Sequence, residues 1–186
     1  MKLFKSILTM QLLWLGAVGV ATPLGSTPVT TSSGQVNGPK GIVNLRDYGV
    51  TGDGRTNDTL AVSALLTTIG ASSTRLIFPP GFPTLLNTIS FPGNVTLDFS
   101  AGGALKPVTG QTITILGRVI VDRQQIFFNA LAGEGTVDFT GNYALEAVCP
   151  EWWGASPNAT AGNNTPAIQA AILGACLLYT SDAADE

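Results

Sequence analysis

A series of short alternating segments, each closed by a turn, constrains this sequence most. Between about Arg75 and Val148, apolar residues alternate with Ser, Thr or Asp. The runs are centred on Ile89 and Phe91, Val95 to Phe99, Ile113 and Ile115, Val119 and Val121, and Val137 and Phe139. Gly, Pro or Asn closes each run. Because successive side chains of a strand point to opposite faces, the pattern predicts short one-sided strands stacked as the rungs of an all-β solenoid.

Composition agrees with this prediction and excludes several classes of function. Only 11% of the 186 residues are charged, while Gly is 22 and Pro is 11, which favours short strands and tight turns over helices. The nine basic residues are scattered and the net charge is −3, so we expect neither nucleic acid nor an anionic membrane as a partner. The chain has no histidine, which excludes a Ser-His-Asp triad and the commonest general base.

The first forty residues are predicted to lie outside the folded part. Lys2 and Lys5 precede an apolar run from about residue 7 to residue 20, so residues 1–21 read as a secretory signal peptide. A membrane anchor is the disfavoured alternative, because the run is interrupted by polar residues and falls short of the roughly 20 residues that a span needs. Residues 22–40 are rich in Ser, Thr, Pro and Gly, as in a flexible linker. We therefore expect a protein that is secreted or at the cell surface, with no membrane contact after signal cleavage.

A leading module is predicted over residues 41–150, with a helix near residues 58–69. The helix follows a turn at Gly52-Asp53-Gly54 and the potential N-caps Asn57 and Asp58, and Gly70 closes it. Its apolar stripe consists of Val62, Leu65, Leu66 and Ile69, at the spacing of one helix face. An amphipathic helix of this kind suits the role of a cap on the open end of a solenoid.

Residues 151–175 repeat this opening motif. Aligning Thr59 with Thr165 places Ile168, Ala171, Ile172 and Ala175 on the positions of the first stripe, and Trp153-Gly154 on Tyr48-Gly49. The distance of 106 residues is too long for one solenoid rung, so it indicates a duplicated module. We predict that residues 151–175 begin a second module.

The tail at residues 176–186, CLLYTSDAADE, does not continue the preceding pattern. Its first ten residues match one reading frame of a common sequencing adapter, so we expect an adapter artefact. On this interpretation Cys176 is not biological and Cys149 has no partner in the chain. A genuine C-terminal turn is the alternative, and it would allow a small cell-envelope protein that is complete in itself.

The segment DYGVTGDGRTNDTLAVSALL resembles the opening motif of the pectate lyase superfamily, which includes the rhamnogalacturonase and epimerase-like branch and many tailspike-type proteins. The resemblance implies a right-handed parallel β-helix with an N-terminal amphipathic capping helix, truncated here at the start of the second copy of the motif. It also implies an N-terminal fragment of an exported protein that binds a polysaccharide and cleaves it by hydrolysis or β-elimination. The alternative is a non-catalytic adhesin or a tailspike-like fibre.

In the hydrolases and lyases of that superfamily the catalytic residues lie on later rungs, in motifs that this chain lacks. We therefore predict no catalytic, cofactor-binding or metal residue in this chain, and Ca²⁺ is a candidate cofactor only of the full-length protein. Asp53 and Asp58 would form a metal or acid-base pair, but turn and helix stabilisation is favoured. Asp98 and Asp138 would form a carboxylate pair if their rungs were adjacent, but solvated surface charges are favoured.

The remaining candidates are aromatic residues and sequons. Trp152 and Trp153 would stack on sugar rings if they were exposed, but burial against the helix is favoured for Trp153, and Trp152 is predicted to be the freer indole. Four Asn-x-Ser/Thr sequons begin at Asn57, Asn94, Asn158 and Asn163. All four fall in predicted turns, and turn chemistry explains them without glycosylation.

Overall fold

The structure is a computed structural model that describes residues 41–131, 133–159 and 164–179. The predicted signal peptide (1–21) and linker (22–40) lie outside the described residues, as do residues 180–186 of the predicted tail. Among the described residues, neither helix has the length and apolarity that a membrane crossing requires.

Short strands and two helices make up the described part of the chain. The strands are β1 (Gly41–Asn44), β2 (Thr74–Ile77), β3 (Thr84–Leu86), β4 (Ile89–Phe91), β5 (Val95–Asp98), β6 (Leu105–Pro107), β7 (Thr112–Ile115), β8 (Val119–Ile120) and β9 (Thr136–Asp138). The helices are α1 (Thr59–Ile69) and α2 (Thr165–Tyr179). Two 3₁₀ turns, Leu45–Tyr48 and Pro150–Trp153, lie on the N-terminal side of α1 and α2 respectively.

The strands form three sheets, and every pairing between them is parallel. The first sheet has the order β1-β2-β5-β8, the second pairs β3 with β6, and the third has the order β4-β7-β9. The chain visits the three sheets in the same order on each circuit, since β2, β3 and β4 are followed by β5, β6 and β7. On the next circuit, Phe127 lies between β8 and β9 in the chain. It forms a parallel bridge with Leu105, which belongs to the second sheet. The prediction of a β-rich fold of short strands is thus confirmed.

A row of aromatic rings runs through the core from circuit to circuit. Phe78 and Phe99 follow register partners in β2 and β5, and their rings stack with centroids 4.5 Å apart. Phe99 meets Phe127 edge-on at 6.2 Å, and Phe127 meets Phe139 at 5.9 Å. All four side chains are fully buried. Such pairs each add about 0.5–1.5 kcal/mol beyond the burial of apolar surface, so the register of the sheets and the aromatic row stabilise each other.

The first helix matches its prediction closely. α1 begins after Asp58 and ends at Gly70, whose positive φ of 53° closes the helix. Val62, Leu65 and Ile69 are buried, and the fourth stripe residue, Leu66, is half-buried against the core.

The second helix confirms the predicted stripe at Ala171 but contradicts it at Ile168 and Ile172. Its buried face consists of Ala167, Ala171 and Gly174, whereas Ile168 and Ile172 are 42% and 55% exposed. Close packing is the reason, because a Cβ added to Gly174 would lie 3.1 Å from the indole of Trp153 and 3.6 Å from Phe139. Only small residues fit at this contact. The helix also runs past the predicted boundary at residue 175, as far as Tyr179.

Candidate functional site

A groove lies between α2 and the segment that leads from Gln125 to β9. Two adjoining cavities of about 370 and 310 Å³ form it. The residues lining both are Asn129, Ala130, Leu131, Glu134, Trp153 and Pro166. Lys106 and Gln125 line one end, and Gln169 and Leu173 line the other. We refer to this feature as the α2 groove.

An ion pair crosses one end of the α2 groove. Lys106, on β6, places its Nζ 3.2 Å from Oε1 of Glu134, and the other oxygen, Oε2, accepts a hydrogen bond from the backbone N–H of Leu131 at 3.1 Å. Both carboxylate oxygens of Glu134 are therefore engaged. Glu134 is the one carboxylate among the described residues that line the groove.

Side-chain amides supply the other polar groups of the α2 groove. Nδ2 of Asn129 donates to the carbonyl of Gly135 at 3.2 Å, while its Oδ1 is buried without a hydrogen-bond partner in the described residues. Nε2 of Gln125 donates to the carbonyl of Phe127 at 3.3 Å. The exposed Gln169 projects from α2. Amides offer both donors and acceptors, which suits a ligand that carries hydroxyl groups.

The backbone beside Gln125 is fitted to its amide. Gly154 has a φ of 93°, and a Cβ at this position would come within 2.9 Å of Cδ of Gln125. Glycine therefore provides both the left-handed conformation that closes the 3₁₀ turn Pro150–Trp153 and the room for the glutamine side chain.

Trp153 lines the α2 groove, and Trp152 precedes it in the chain. Trp153 is 2% exposed and packs on Phe127 and Phe139 at centroid distances of 5.1 and 6.3 Å, which confirms its predicted burial. Trp152 is slightly freer, at 7%, but it too is buried against Phe127. The alternative use of these indoles as exposed platforms for sugar rings is therefore wrong.

The pair Asp53 and Asp58 serves the backbone, as favoured from the sequence. Asp53 accepts hydrogen bonds from the N–H groups of Arg55 and Thr56 and from the Thr56 hydroxyl, at 2.7 to 2.8 Å. The backbone bonds from Thr56 and Arg55, with the Thr56 hydroxyl, hold the pKa of Asp53 below its ordinary value. Asp58 occupies the N-cap of α1, but its carboxylate binds the N–H groups of Thr51 and Gly52 at 2.9 and 3.0 Å instead of the helix.

The pair Asp98 and Asp138 is separated by the fold. Asp98 ends β5 in the first sheet and Asp138 ends β9 in the third, so the two carboxylates belong to different ladders. Each binds the hydroxyl and N–H of the residue two positions on, Ser100 or Thr140. The expectation of a solvated surface charge is wrong for Asp98, which is 2% exposed and pairs with Arg75 through Nε at 2.7 Å.

The environment of Asp98 has two opposing effects on its ionisation. Burial raises its pKa, but the hydrogen bonds from Ser100 and from Arg75, with the Arg75 charge, outweigh it and hold the pKa below its ordinary value. Asp98 thus stays ionised as part of a structural ion pair. In the described part of the chain, no group of three His, Cys, Asp or Glu residues is placed to hold a metal ion.

Sequons and thiols complete the candidates. Nδ2 of Asn57 donates to Asn87, and Nδ2 of Asn94 donates to the carbonyls of Gly70 and Ser72, so both amides have structural roles. Asn158 is exposed in a turn, and Asn163 lies outside the described residues. Cys149 is half-buried, Cys176 is exposed, and both thiols are free.

Apart from Trp153, the residues of the α2 groove were not identified from the sequence. Lys106, Gln125 and Glu134 lie on separate segments and follow no motif, so only the stacking of circuits brings them together. Comparison with models of known protein families, with curated proteins and with solved structures finds no significant match to this chain. The family resemblance therefore depends on the sequence itself: the opening motif at residues 47–66, its second copy and the strand-rich segment between them.

Proposed function

We propose that this chain is the leading, non-catalytic part of an exported polysaccharide-degrading protein of the pectate lyase superfamily type, and that its α2 groove binds a short stretch of the polysaccharide. The groove carries the proposal, because it combines the amides of Gln125, Asn129 and Gln169 with a single ion pair. Hydrogen bonding by amides and charged groups is the usual means of holding a hydroxyl-rich ligand in a concave site.

The same proposal assigns the fold as a right-handed parallel β-helix. Parallel pairing of all named strands and the repeated order of the three sheets support it. A helix that covers the first circuit, with Val62 and Leu65 buried, supports the role of α1 as the cap of its N-terminal end.

Binding of a polysaccharide is tested by affinity electrophoresis in gels that contain polygalacturonate, rhamnogalacturonan or a neutral β-glucan. We expect retardation by at least one polymer, and a weaker effect in Gln169→Ala, since one lost hydrogen bond of about 0.5–1.5 kcal/mol weakens binding by roughly two- to tenfold. Asn158→Ala, which removes an exposed amide outside the groove, is the matched control and should migrate like the wild type.

Two results would count against this function. Equal mobility in all three gels and in plain gel would remove the binding role. Release of reducing ends or unsaturated products by the purified chain, abolished in Glu134→Gln, would make the groove catalytic and overturn the non-catalytic assignment.

A structural role, as in an adhesin or a tailspike-like fibre, is the second candidate. It is favoured by the fact that Asp53, Asp58, Asp98 and Asp138 all bind the chain's own backbone. Absence of binding to every polymer, together with a thermally stable fold, would favour this candidate.

A further inference from the structure

The two ends of the α2 groove differ in chemistry. Lys106 and Gln125 supply polar groups at the end formed by the cavity of about 370 Å³. The residues found only at the other end, in the cavity of about 310 Å³, include four that are apolar or lack a side chain: Val137, Ala170, Leu173 and Gly174. We refer to this part as the apolar end. A ligand that fills the whole groove must therefore present an apolar group there.

Two leucines on separate elements line the apolar end. Leu131 belongs to the segment before β9, and Leu173 belongs to α2. Their side chains are 64% and 66% exposed, although both border the same cavity. Removing apolar surface from water is favourable, and one buried methyl group strengthens binding by about fourfold. A small apolar group between these leucines would thus add affinity.

The charges of the groove favour a neutral group at the apolar end. Lys106 is the one cation among the described residues that line the groove, and it pairs with Glu134 at the opposite end. Glu134 has both of its oxygens engaged. A carboxylate or an amine between the leucines would lose water without gaining an unengaged opposite charge, which is unfavourable.

The polar groups at the apolar end are hydrogen-bonding and uncharged. The exposed residues Thr136 and Gln169 line it and offer a hydroxyl and an amide as donors. Asn129 lines both cavities, and its Oδ1 has no hydrogen-bond partner among the described residues, so it requires a donor. An ester supplies a carbonyl acceptor and an apolar tail but no donor. A sugar that carries both an ester and a free hydroxyl matches all of these groups.

We propose that the apolar end of the α2 groove binds a small acyl ester, such as an O-acetyl group, on a sugar residue of the polysaccharide. The methyl group lies between Leu131 and Leu173, and the carbonyl oxygen accepts from Gln169 or Thr136. A free hydroxyl of the same sugar donates to Asn129. This inference rests on the proposed binding of polysaccharide and adds to it a preference for the acylated form.

The preference is tested by affinity electrophoresis with each of the three polymers in its plain form and after partial O-acetylation. We expect the acetylated form of at least one polymer to bind about fourfold more tightly, as for one buried methyl group. Removal of the acetyl groups with mild alkali should restore the plain value. The double variant Leu131→Gln and Leu173→Gln should bind both forms equally. Leu60→Gln, at an exposed apolar position of α1 outside the groove, is the matched control and should keep the preference.

The possible results separate this inference from the proposed function. Equal retardation of the wild-type chain by the plain and acetylated forms would overturn the acyl site and leave polysaccharide binding in place. Absence of retardation by every polymer in both forms would overturn both proposals. A preference that persists in the double variant would assign the acyl group to another part of the chain. The alkali comparison uses the wild-type chain alone, so the preference can be refuted even where the double variant does not fold.

Discussion

The two copies of the opening motif have the same backbone design but bury adjacent faces of their helices, which share the equivalent positions Leu65 and Ala171. In the first copy the large stripe of α1 is covered by strands, and Tyr48 of the 3₁₀ turn is 38% exposed. In the second copy the small face of α2 is covered, and Trp153, at the position of Tyr48, is buried. Among the described residues, the second copy packs on strands that precede it in the chain, whereas the first copy packs on strands that follow it. A motif can therefore keep its local geometry while its neighbours decide which surface becomes core.

The largest expected difference between the copies is at the aromatic residue of the 3₁₀ turn. Trp153→Ala should destabilise the fold by about 3–5 kcal/mol, since it removes a large buried side chain. Tyr48→Ala, its counterpart, should cost under about 1 kcal/mol because the ring is partly exposed. Urea unfolding of both variants measures the two values. Equal losses of stability in the two variants would contradict the conclusion that only the aromatic ring of the second copy is buried.

The residue before each helix is matched to its own loop. Asp58 accepts from two N–H groups, so Asp58→Asn would place an amide donor against a donor and cost about 1.5–3 kcal/mol. In the second copy Nδ2 of Asn164 donates to the carbonyl of Ser156 at 2.8 Å. The variant Asn164→Asp would place a carboxylate oxygen against this carbonyl oxygen, so that two acceptors face each other. We expect each exchange to destabilise its own helix, as measured by hydrogen exchange of the first turn. If either variant were as stable as the wild type, the fit between that residue and the backbone groups of its loop would not contribute to stability.

The stripe positions give a smaller contrast. Val62→Ala should cost about 2 kcal/mol, since two methyl groups leave a fully buried site. Ile168→Ala, the equivalent change in α2, should remain within about 0.5 kcal/mol because the side chain is largely exposed. The thermal midpoints of the two variants decide this comparison. A larger loss in Ile168→Ala would mean that this face of α2 already has a partner.

The smallest expected effect concerns pH, because only the first copy has an aspartate in its glycine turn. The pKa of Asp53 is lowered in the folded chain, so its stabilisation is present above the unfolded value of about 4 and is lost as the pH falls through the folded value. After correction for the intrinsic pH dependence of exchange, protection of the Arg55 and Thr56 amides should decrease below about pH 4. Asp53→Asn should abolish this change. The loop at residues 155–159 has no aspartate and serves as the internal control.

Much of the fold was predictable because its determinants are local. Period-two alternation identified β4, β5, β7, β8 and β9, and the stripe with its closing Gly70 gave α1 almost to the residue. The strands β3 and β6 were not singled out. In β3 the polar Thr84 is buried and the apolar Leu85 is not, and Pro107 ends β6, so neither segment shows the expected alternation. Their pairing becomes visible only when successive circuits stack.

The site was less predictable than the fold. The sequence correctly favoured a turn role for Asp53 and burial for Trp153, because these depend on neighbouring residues. The carboxylate of Asp58 is also structural, but it binds the N–H groups of Thr51 and Gly52 and not the helix end that was expected. It did not show that Asp98 is buried with Arg75, since the two lie on adjacent strands of the first sheet and not in one segment. The same reason explains why Lys106 and Glu134 of the α2 groove were missed.

The sequence by itself determined where α1, most of the strands and their closing turns lie and that the opening motif is duplicated. These properties follow from side-chain periodicity and from conformations that only a few residues adopt. Only the tertiary structure decided which face of α2 is buried. The stripe Ile168 and Ile172 is the more apolar surface, but the indole of Trp153 accepts only small residues at close range, and steric fit at that contact outweighs the hydrophobicity of the stripe.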